Sequence, residues 1–158
     1  MKVHQIMRHE ARTCAPDDSA ATAGRTMAEV GCGWLPVMWD RRPVGVVTDR
    51  DLCLALTEPD RKPSELKVAE AMTEEVYGCL PGDDIREALS VMREHRVRRL
   101  VVFGEDGGLG GMLSLDDVVL EARPFETPGF TGPFYSDITA TLRAVVRRPV
   151  LAAAAMTG

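Results

Sequence analysis

The chain repeats itself at a spacing of 65 residues, and this duplication limits its possible folds more than any other feature. KVHQIM (2–7) aligns with KVAEAM (67–72), and CAPDD (14–18) with CLPGD (79–83). After one extra residue in the second copy, GVVTDRDLCL (45–54) aligns with GMLSLDDVVL (111–120). A unit of about 55 residues buries little surface alone. The sequence therefore predicts two copies packed sheet to sheet around one shared core, related by a pseudo-two-fold axis.

Each copy predicts the order strand, helix, strand, strand, helix. The second copy has a capping-box pattern, Asp84 followed by Glu87, before a helix with apolar residues at i, i+3, i+4 and i+7. We expect a turn at Pro43 between the two strands of the first copy. The expected helix faces are Ile85, Ala88, Leu89 and Met92, and in the first copy Ala20, Ala23, Gly24, Met27 and Val30; the expected strands are 35–38, 44–47, 100–103 and 112–113, followed by helices at 52–56 and 118–120.

These patterns divide the chain into a first domain (1–57), a link (58–66), a second domain (67–122) and a tail (123–158). The tail begins with a segment rich in Phe, Pro and Gly, which cannot form a long helix. A short helix is expected from about Ile138 until near Pro149. We expect the tail to pack on the module, on a dimer mate or on another partner; the alternative is a partly disordered tail.

A hydroxyl and an acid follow a predicted strand in both copies: Thr48 and Asp51, then Ser114 and Asp117. One interpretation is helix capping, which needs no ligand. The other is ligand binding, because a carboxylate accepts hydrogen bonds from both hydroxyls of a ribose and a hydroxyl at a helix start attracts phosphate. Recurrence of the pattern within a whole-unit repeat favours ligand binding.

The chain resembles the cystathionine-β-synthase (CBS) domain family over residues 1 to about 122, as a tandem pair. The resemblance rests on the duplicated element order, on Leu35-Pro36-Val37, and on the Gly-apolar-apolar-Thr/Ser-x-x-Asp signature in both halves. It implies a mixed α/β (α+β) fold and a regulatory module that binds AMP, ADP or ATP, or else NAD or S-adenosylmethionine, between the domains. It also implies that Thr48 and Ser114 contact phosphate and that Asp51 and Asp117 contact ribose. We expect these side chains to line one shared groove.

The two halves differ in charge, which predicts two inequivalent sites. Arg98 and Arg99 precede a strand in the second copy, where the family resemblance implies phosphate contacts; the alternative is a solvated basic cluster. The first copy has Gly33 and Trp34 there, and Trp34 either stacks on a purine or belongs to the core. Arg50 within the first motif is a candidate to compensate for the missing charge, whereas its counterpart, Asp116, would repel phosphate.

Composition narrows the function classes. The net charge of −5 argues against nucleic-acid binding, and no apolar run is long enough for a membrane span. Without an export signal at the N-terminus, we expect a cytoplasmic protein with reduced thiols. The cysteines and histidines lack the spacing of a metal site, so we expect no bound metal. These residues are Cys14, Cys32, Cys53, Cys79, His4, His9 and His95.

These observations predict a non-catalytic sensor of an adenosine compound that requires no cofactor. No catalytic triad or phosphate-binding loop is present in the sequence. We expect a homodimer, as the resemblance implies, and an effector protein that responds to binding. The alternative is a stress-type structural or interaction protein that keeps the fold and has lost the ligand.

Overall fold

Two small sheets with helices packed against them form the architecture, which the computed structural model describes for residues 1–147. The predicted duplicated α+β organisation is confirmed. The first repeat contains α1 (Ala20–Val30), β1 (Trp34–Trp39), β2 (Arg42–Thr48) and α2 (Asp49–Ala55); then come α3 (Val68–Ala71), β3 (Gly78–Cys79), α4 (Ile85–His95), β4 (Arg99–Phe103), β5 (Leu109–Ser114), α5 (Leu115–Glu121) and α6 (Tyr135–Val146).

The sheets keep the repeat relationship in their pairing. β1 pairs antiparallel with β2, and β4 pairs antiparallel with β5. β3 adds in parallel to β4 through Cys79 and Val102, and the first sheet has the equivalent parallel bridge between Cys14 and Val37. The pseudo-symmetry therefore extends to individual backbone contacts.

The turn between β1 and β2 differs from the prediction. It is formed by Asp40 and Arg41, with φ of 47° and 64°, whereas Pro43 lies inside β2. A tight hairpin with two positive φ angles cannot place proline at either position, because its ring fixes φ near −65°. The expectation of a turn at Pro43 is wrong for this reason.

Helix α4 confirms its predicted buried face, since Ile85, Ala88, Leu89 and Met92 are fully buried. Asp84 caps this helix: its carboxylate accepts from the Arg86 N–H (3.0 Å), and its own N–H donates to Glu87 Oε2 (2.9 Å). In α1 the expectation fails at Val30, which is 40% exposed and lies in the last turn before the left-handed Gly31.

The opening segments of the two repeats are exchanged between the cores. Val3 is fully buried with the second repeat's core, whereas Leu66 and Val68 are buried with the first repeat's core. Two separate clusters of buried residues result, so the expectation of one shared core is wrong. The assignment of 1–57 and 67–122 as domains stays a prediction from the repeat; in packing, each core includes a piece of the other copy.

Two backbone bridges extend this exchange. Arg8 pairs antiparallel with Met112 of β5, and Thr73 pairs antiparallel with Val46 of β2. Arg8 and Thr73 occupy equivalent positions in the repeat. Residues that follow each opening segment are thereby brought to the edge of the other repeat's sheet.

The tail packs on the second repeat. α6 contacts α4 and α5, and it begins at Tyr135 rather than Ile138 because Asp137 Oδ2 accepts from the Phe134 N–H (2.9 Å). Arg86 donates to the carbonyl of Gly132 (2.6 Å). The expected break near Pro149 lies outside the described residues. Among residues 1–147, no helix combines the length and apolar character that crossing a bilayer requires.

The exchange predicts that Val3 stabilises the second repeat. Val3→Ala should lower the free energy of unfolding by about 2 kcal/mol, because two buried methyl groups leave a cavity. Urea denaturation measures this loss. The control, Val30→Ala at a partly exposed position, should change stability by less than about 0.5 kcal/mol. Equal effects of the two substitutions would contradict the exchanged packing.

Candidate functional site

Both Thr/Ser-x-x-Asp motifs form capping boxes at the starts of α2 and α5. In the first, Asp51 Oδ2 accepts from the N–H and the hydroxyl of Thr48 at 3.0 and 2.6 Å. In the second, Asp117 Oδ2 accepts from the N–H and the hydroxyl of Ser114 at 2.9 and 2.5 Å. The capping interpretation therefore applies to both motifs. It uses one oxygen of each carboxylate and leaves the other oxygen to be explained.

The first motif lies at a cleft of about 280 Å³, here named the first cleft. Both repeats contribute to it. The first repeat provides Trp34, Val46, Thr48 and Asp51; the second repeat provides Thr73, Glu75 and Tyr77 from the segment after α3, and Val97, Arg98 and Arg99 from the start of β4 and the residues before it.

The second motif lies at a smaller cleft of about 120 Å³, here named the second cleft. Trp34 and Arg99, which are equivalent residues of the two repeats, line both clefts, so the two clefts adjoin. That all four motif side chains line one shared groove stays a prediction. The remaining lining residues are Arg8, Gly31, Cys32, Gly33, Met112, Ser114, Asp116 and Asp117.

The carboxylate oxygens that the two caps do not use have different surroundings. Asp117 Oδ1 accepts from Arg8 Nε at 2.9 Å, and the Asp117 side chain is only 10% exposed. Asp51 Oδ1 has no hydrogen-bond or ion-pair partner within residues 1–147. Sequence reasoning missed Arg8, although the repeat alignment contains the signal: a cation stands opposite Thr73 directly after KVHQIM.

The predicted basic residues contribute unequally. Arg98 and Arg99 line the first cleft beside Thr48, a residue of the other repeat. Among the salt bridges of the described residues, none involves these two guanidinium groups. Arg50 is exposed and lies outside the lining of both clefts. The first cleft thus receives positive charge from the second repeat and not from its own motif.

Aromatic side chains line the first cleft from two directions. Trp34 is 5% exposed, which places most of its ring in the protein interior. Tyr77 stacks on His95 with ring centroids 3.9 Å apart, and its hydroxyl donates to Glu75 (2.8 Å). That hydrogen bond raises the pKa of Tyr77 above its ordinary value. Sequence reasoning missed Tyr77 and Glu75, which lie in a segment without a recognisable motif.

Comparison with known proteins identifies the family. The model of the CBS domain matches residues 3–58 and again residues 68–123. The chain belongs to the CBS domain family, as a tandem pair. Both the predicted resemblance and the predicted fold class are thereby confirmed.

Three similar proteins show the range of contexts for such a pair. The chain is 25% identical to protein MK0525 of Methanopyrus kandleri; the match covers 79% of this chain and 64% of that protein. It is 34% identical to the inosine-5'-monophosphate dehydrogenase of Korarchaeum cryptofilum over 73% of its length, and this match spans only 23% of the enzyme. The crystal structure of CBSX2 in complex with AMP superposes with a TM-score of 0.65 at 28% identity, covering 76% of this chain and 94% of that one.

The cysteines of this CBS pair do not assemble a metal site in the part of the chain that the structure describes, where no group of three or more His, Cys, Asp or Glu residues is suited to hold an ion. Cys14 and Cys79 are buried at equivalent positions in the two cores. Burial raises the pKa of each thiol from 9.0 to about 12. At neutral pH both are protonated, and the thiol rather than the reactive thiolate is present.

The difference in burial between Cys53 and the two core cysteines predicts selective labelling. At pH 8 and at protein concentrations low enough to keep the chain monomeric, Cys53, which is exposed in a single chain, should react readily with a maleimide or iodoacetamide, whereas Cys14 and Cys79 should react only after unfolding. Mass spectrometry of peptides from the labelled protein, with and without urea, checks the order. Reaction of Cys14 in the folded protein at a rate near that of Cys53 would contradict it.

Proposed function

We propose that this CBS pair senses a phosphate-bearing adenosine compound in its first cleft and passes the signal to an effector protein, without catalysing a reaction itself. The observation that carries the proposal is the free Asp51 Oδ1 at a cleft that also contains Arg98 and Arg99. An acid and two cations in one cleft match the two polar parts of a nucleotide, its ribose and its phosphate.

The chemistry assigns a role to each group. Asp51 accepts from the ribose hydroxyls, since its second oxygen is not needed by the cap. Arg98 and Arg99 neutralise phosphate, and the apolar surfaces of Val46, Val97 and Trp34 contact the base. At about 280 Å³ the cleft is near the lower limit for small-molecule sites, which favours a mononucleotide such as AMP over NAD. Glu75 also lines it and disfavours additional phosphates.

Similar proteins support this assignment. CBSX2 has been solved in complex with AMP, and the match to a dehydrogenase covers a minor part of that enzyme. Because the first cleft is lined by residues of both repeats, one ligand contacts elements that belong to different cores. A ligand that binds one arrangement of these elements more tightly shifts the equilibrium toward it. The effector that would respond, and a cytoplasmic location, remain predictions.

The alternative function, a scaffold without ligand, has one observation in its favour. In the second cleft Asp117 is already paired with Arg8, and the acidic Asp116 lies beside it. If the first cleft also failed to bind adenosine compounds, the chain would be a structural or interaction protein. Direct binding measurements separate the two functions.

Asp51→Asn tests the proposal by removing the charge while keeping the size of the side chain. AMP should bind the wild-type chain, and the variant should bind it roughly 10- to 100-fold more weakly, because a charge-assisted hydrogen bond to the ribose is lost. 2'-Deoxy-AMP should bind the wild type more weakly than AMP, and this difference should narrow in the variant. Isothermal titration calorimetry measures all four affinities.

Asp49→Asn provides the matched control. Asp49 is an exposed acid in the same first turn of α2 and lies outside the first cleft. Its substitution should leave AMP affinity within about twofold. Absence of AMP binding to the wild-type chain would reject the proposal in favour of the scaffold.

We further propose that the chain pairs with a second copy through the face formed by α1 and α2. In the second repeat the equivalent face, α4 with α5, is covered by α6. In the first repeat a groove between the two helices remains open, lined by Ala20, Gly24, Met27, Ala28, Leu52, Cys53 and Leu56 among others. An apolar face that an amphipathic helix covers in one repeat is suited to a helical face of another chain in the other.

Gly24→Glu tests the pairing without damaging the fold. No atom lies within 4 Å of the position where a Cβ would be added, and glutamate favours a helix more than glycine does. The wild type should have the mass of a dimer in light scattering, and the variant that of a monomer. The control Gly82→Glu, also at an open position, should stay dimeric. A monomeric wild type would contradict the proposal.

A further inference from the structure

We infer that Arg8 closes the second cleft to nucleosides, so that the chain binds one adenosine ligand and not two. The inference rests on the proposed function of the first cleft and adds its stoichiometry and the residue that sets it. It depends on comparing Arg8 with Thr73, the residue at the same place in the other repeat.

The backbones of Arg8 and Thr73 are held in the same way. The N–H and carbonyl of Arg8 bond to Met112 at 2.8 and 2.9 Å, and those of Thr73 bond to Val46 at 2.9 and 2.9 Å. A glycine allows each close approach: a Cβ on Gly111 would lie 2.6 Å from the carbonyl oxygen of Arg8, and a Cβ on Gly45 would lie 2.8 Å from that of Thr73. The difference between the two clefts at this place therefore lies in the side chain.

That side chain decides whether the acid is available. Arg8 Nε donates to Asp117 Oδ1 at 2.9 Å, while Oδ2 is used by Ser114, so both oxygens of a largely buried carboxylate have donors. Ribose hydroxyls would have to displace the guanidinium, which removes its charge-assisted bond. Thr73 carries no charge, and Asp51 Oδ1 keeps its accepting capacity.

The remaining surroundings act in the same direction. The second cleft has less than half the volume of the first, about 120 against 280 Å³. Gly33 stands where the first cleft has Arg98, and the exposed Asp116 lies at its lining. Arg99 is the cation that both clefts share. Each cleft is lined by two arginines and two acids, so the contrast lies in the smaller volume and in the pairing of Arg8 with Asp117, which occupies both the ribose acceptor and one of the two cations of the second cleft.

Exchanging the two residues tests the inference in the full chain. Arg8→Thr gives the second cleft the residue of the first, and Thr73→Arg gives the first cleft the residue of the second. Calorimetry with AMP should show one site per chain in the wild type, two in Arg8→Thr, and binding at least 10-fold weaker in Thr73→Arg. Adenosine, which lacks phosphate, should also bind at one site in the wild type and at two in Arg8→Thr, because the difference between the two clefts concerns the acceptor for the ribose.

Arg8→Lys is the control that retains a cation beside Asp117, and it should keep one site. Thermal unfolding of each variant verifies the fold. If Arg8→Thr does not fold, Thr73→Arg decides alone, since unchanged AMP affinity in that variant overturns the inference. Two AMP sites in the wild type, or one site in a folded Arg8→Thr, also overturn it while the proposed function stands. Absence of AMP binding to the wild type rejects the proposed function itself.

Discussion

Each core of this protein is closed by a short segment of the other repeat, and the rest of the structure depends on this exchange. Val3 fills the second core and Val68 fills the first, each without exposed surface. Apolar burial of this kind is the dominant favourable term in folding, and it fixes where the following residues must lie. Arg8 and Thr73 reach the clefts because they follow these segments.

The two motifs show that helix capping leaves one oxygen of each carboxylate for another partner. Capping of α2 and α5 requires a single oxygen from Asp51 and from Asp117. The second oxygen is surplus to the helix, so its use is set by neighbours from elsewhere in the chain. The motif in the sequence therefore indicates a cap, whereas the partner of the second oxygen depends on a residue distant in the sequence, as Arg8 is from Asp117.

Local patterns in the sequence were enough to predict much of the fold. The apolar period of α4 and the Asp84–Glu87 box describe a helix whose stability is encoded in adjacent residues, and the structure has it there. Pro43 and Val30 were misplaced because turn geometry and the last turn of a helix depend on one or two dihedral angles that periodicity does not report. The exchange of segments was not predictable, since KVHQIM and KVAEAM are alike and fit either core. Arg8 was missed because its partner Asp117 is 109 residues away in the sequence.

The exchanged segments also bear on how such a molecule arises. A polypeptide made of one repeat has an opening segment that belongs in a neighbour's core and an empty place in its own. Two such polypeptides complete each other's cores only by associating, and the entropic cost of that association depends on their concentration. The link 58–66 makes that encounter intramolecular, with an effective concentration set by a few residues of chain. Fusion in tandem thus replaces an obligatory association with a permanent one, and afterwards leaves the residues of the two halves free to diverge.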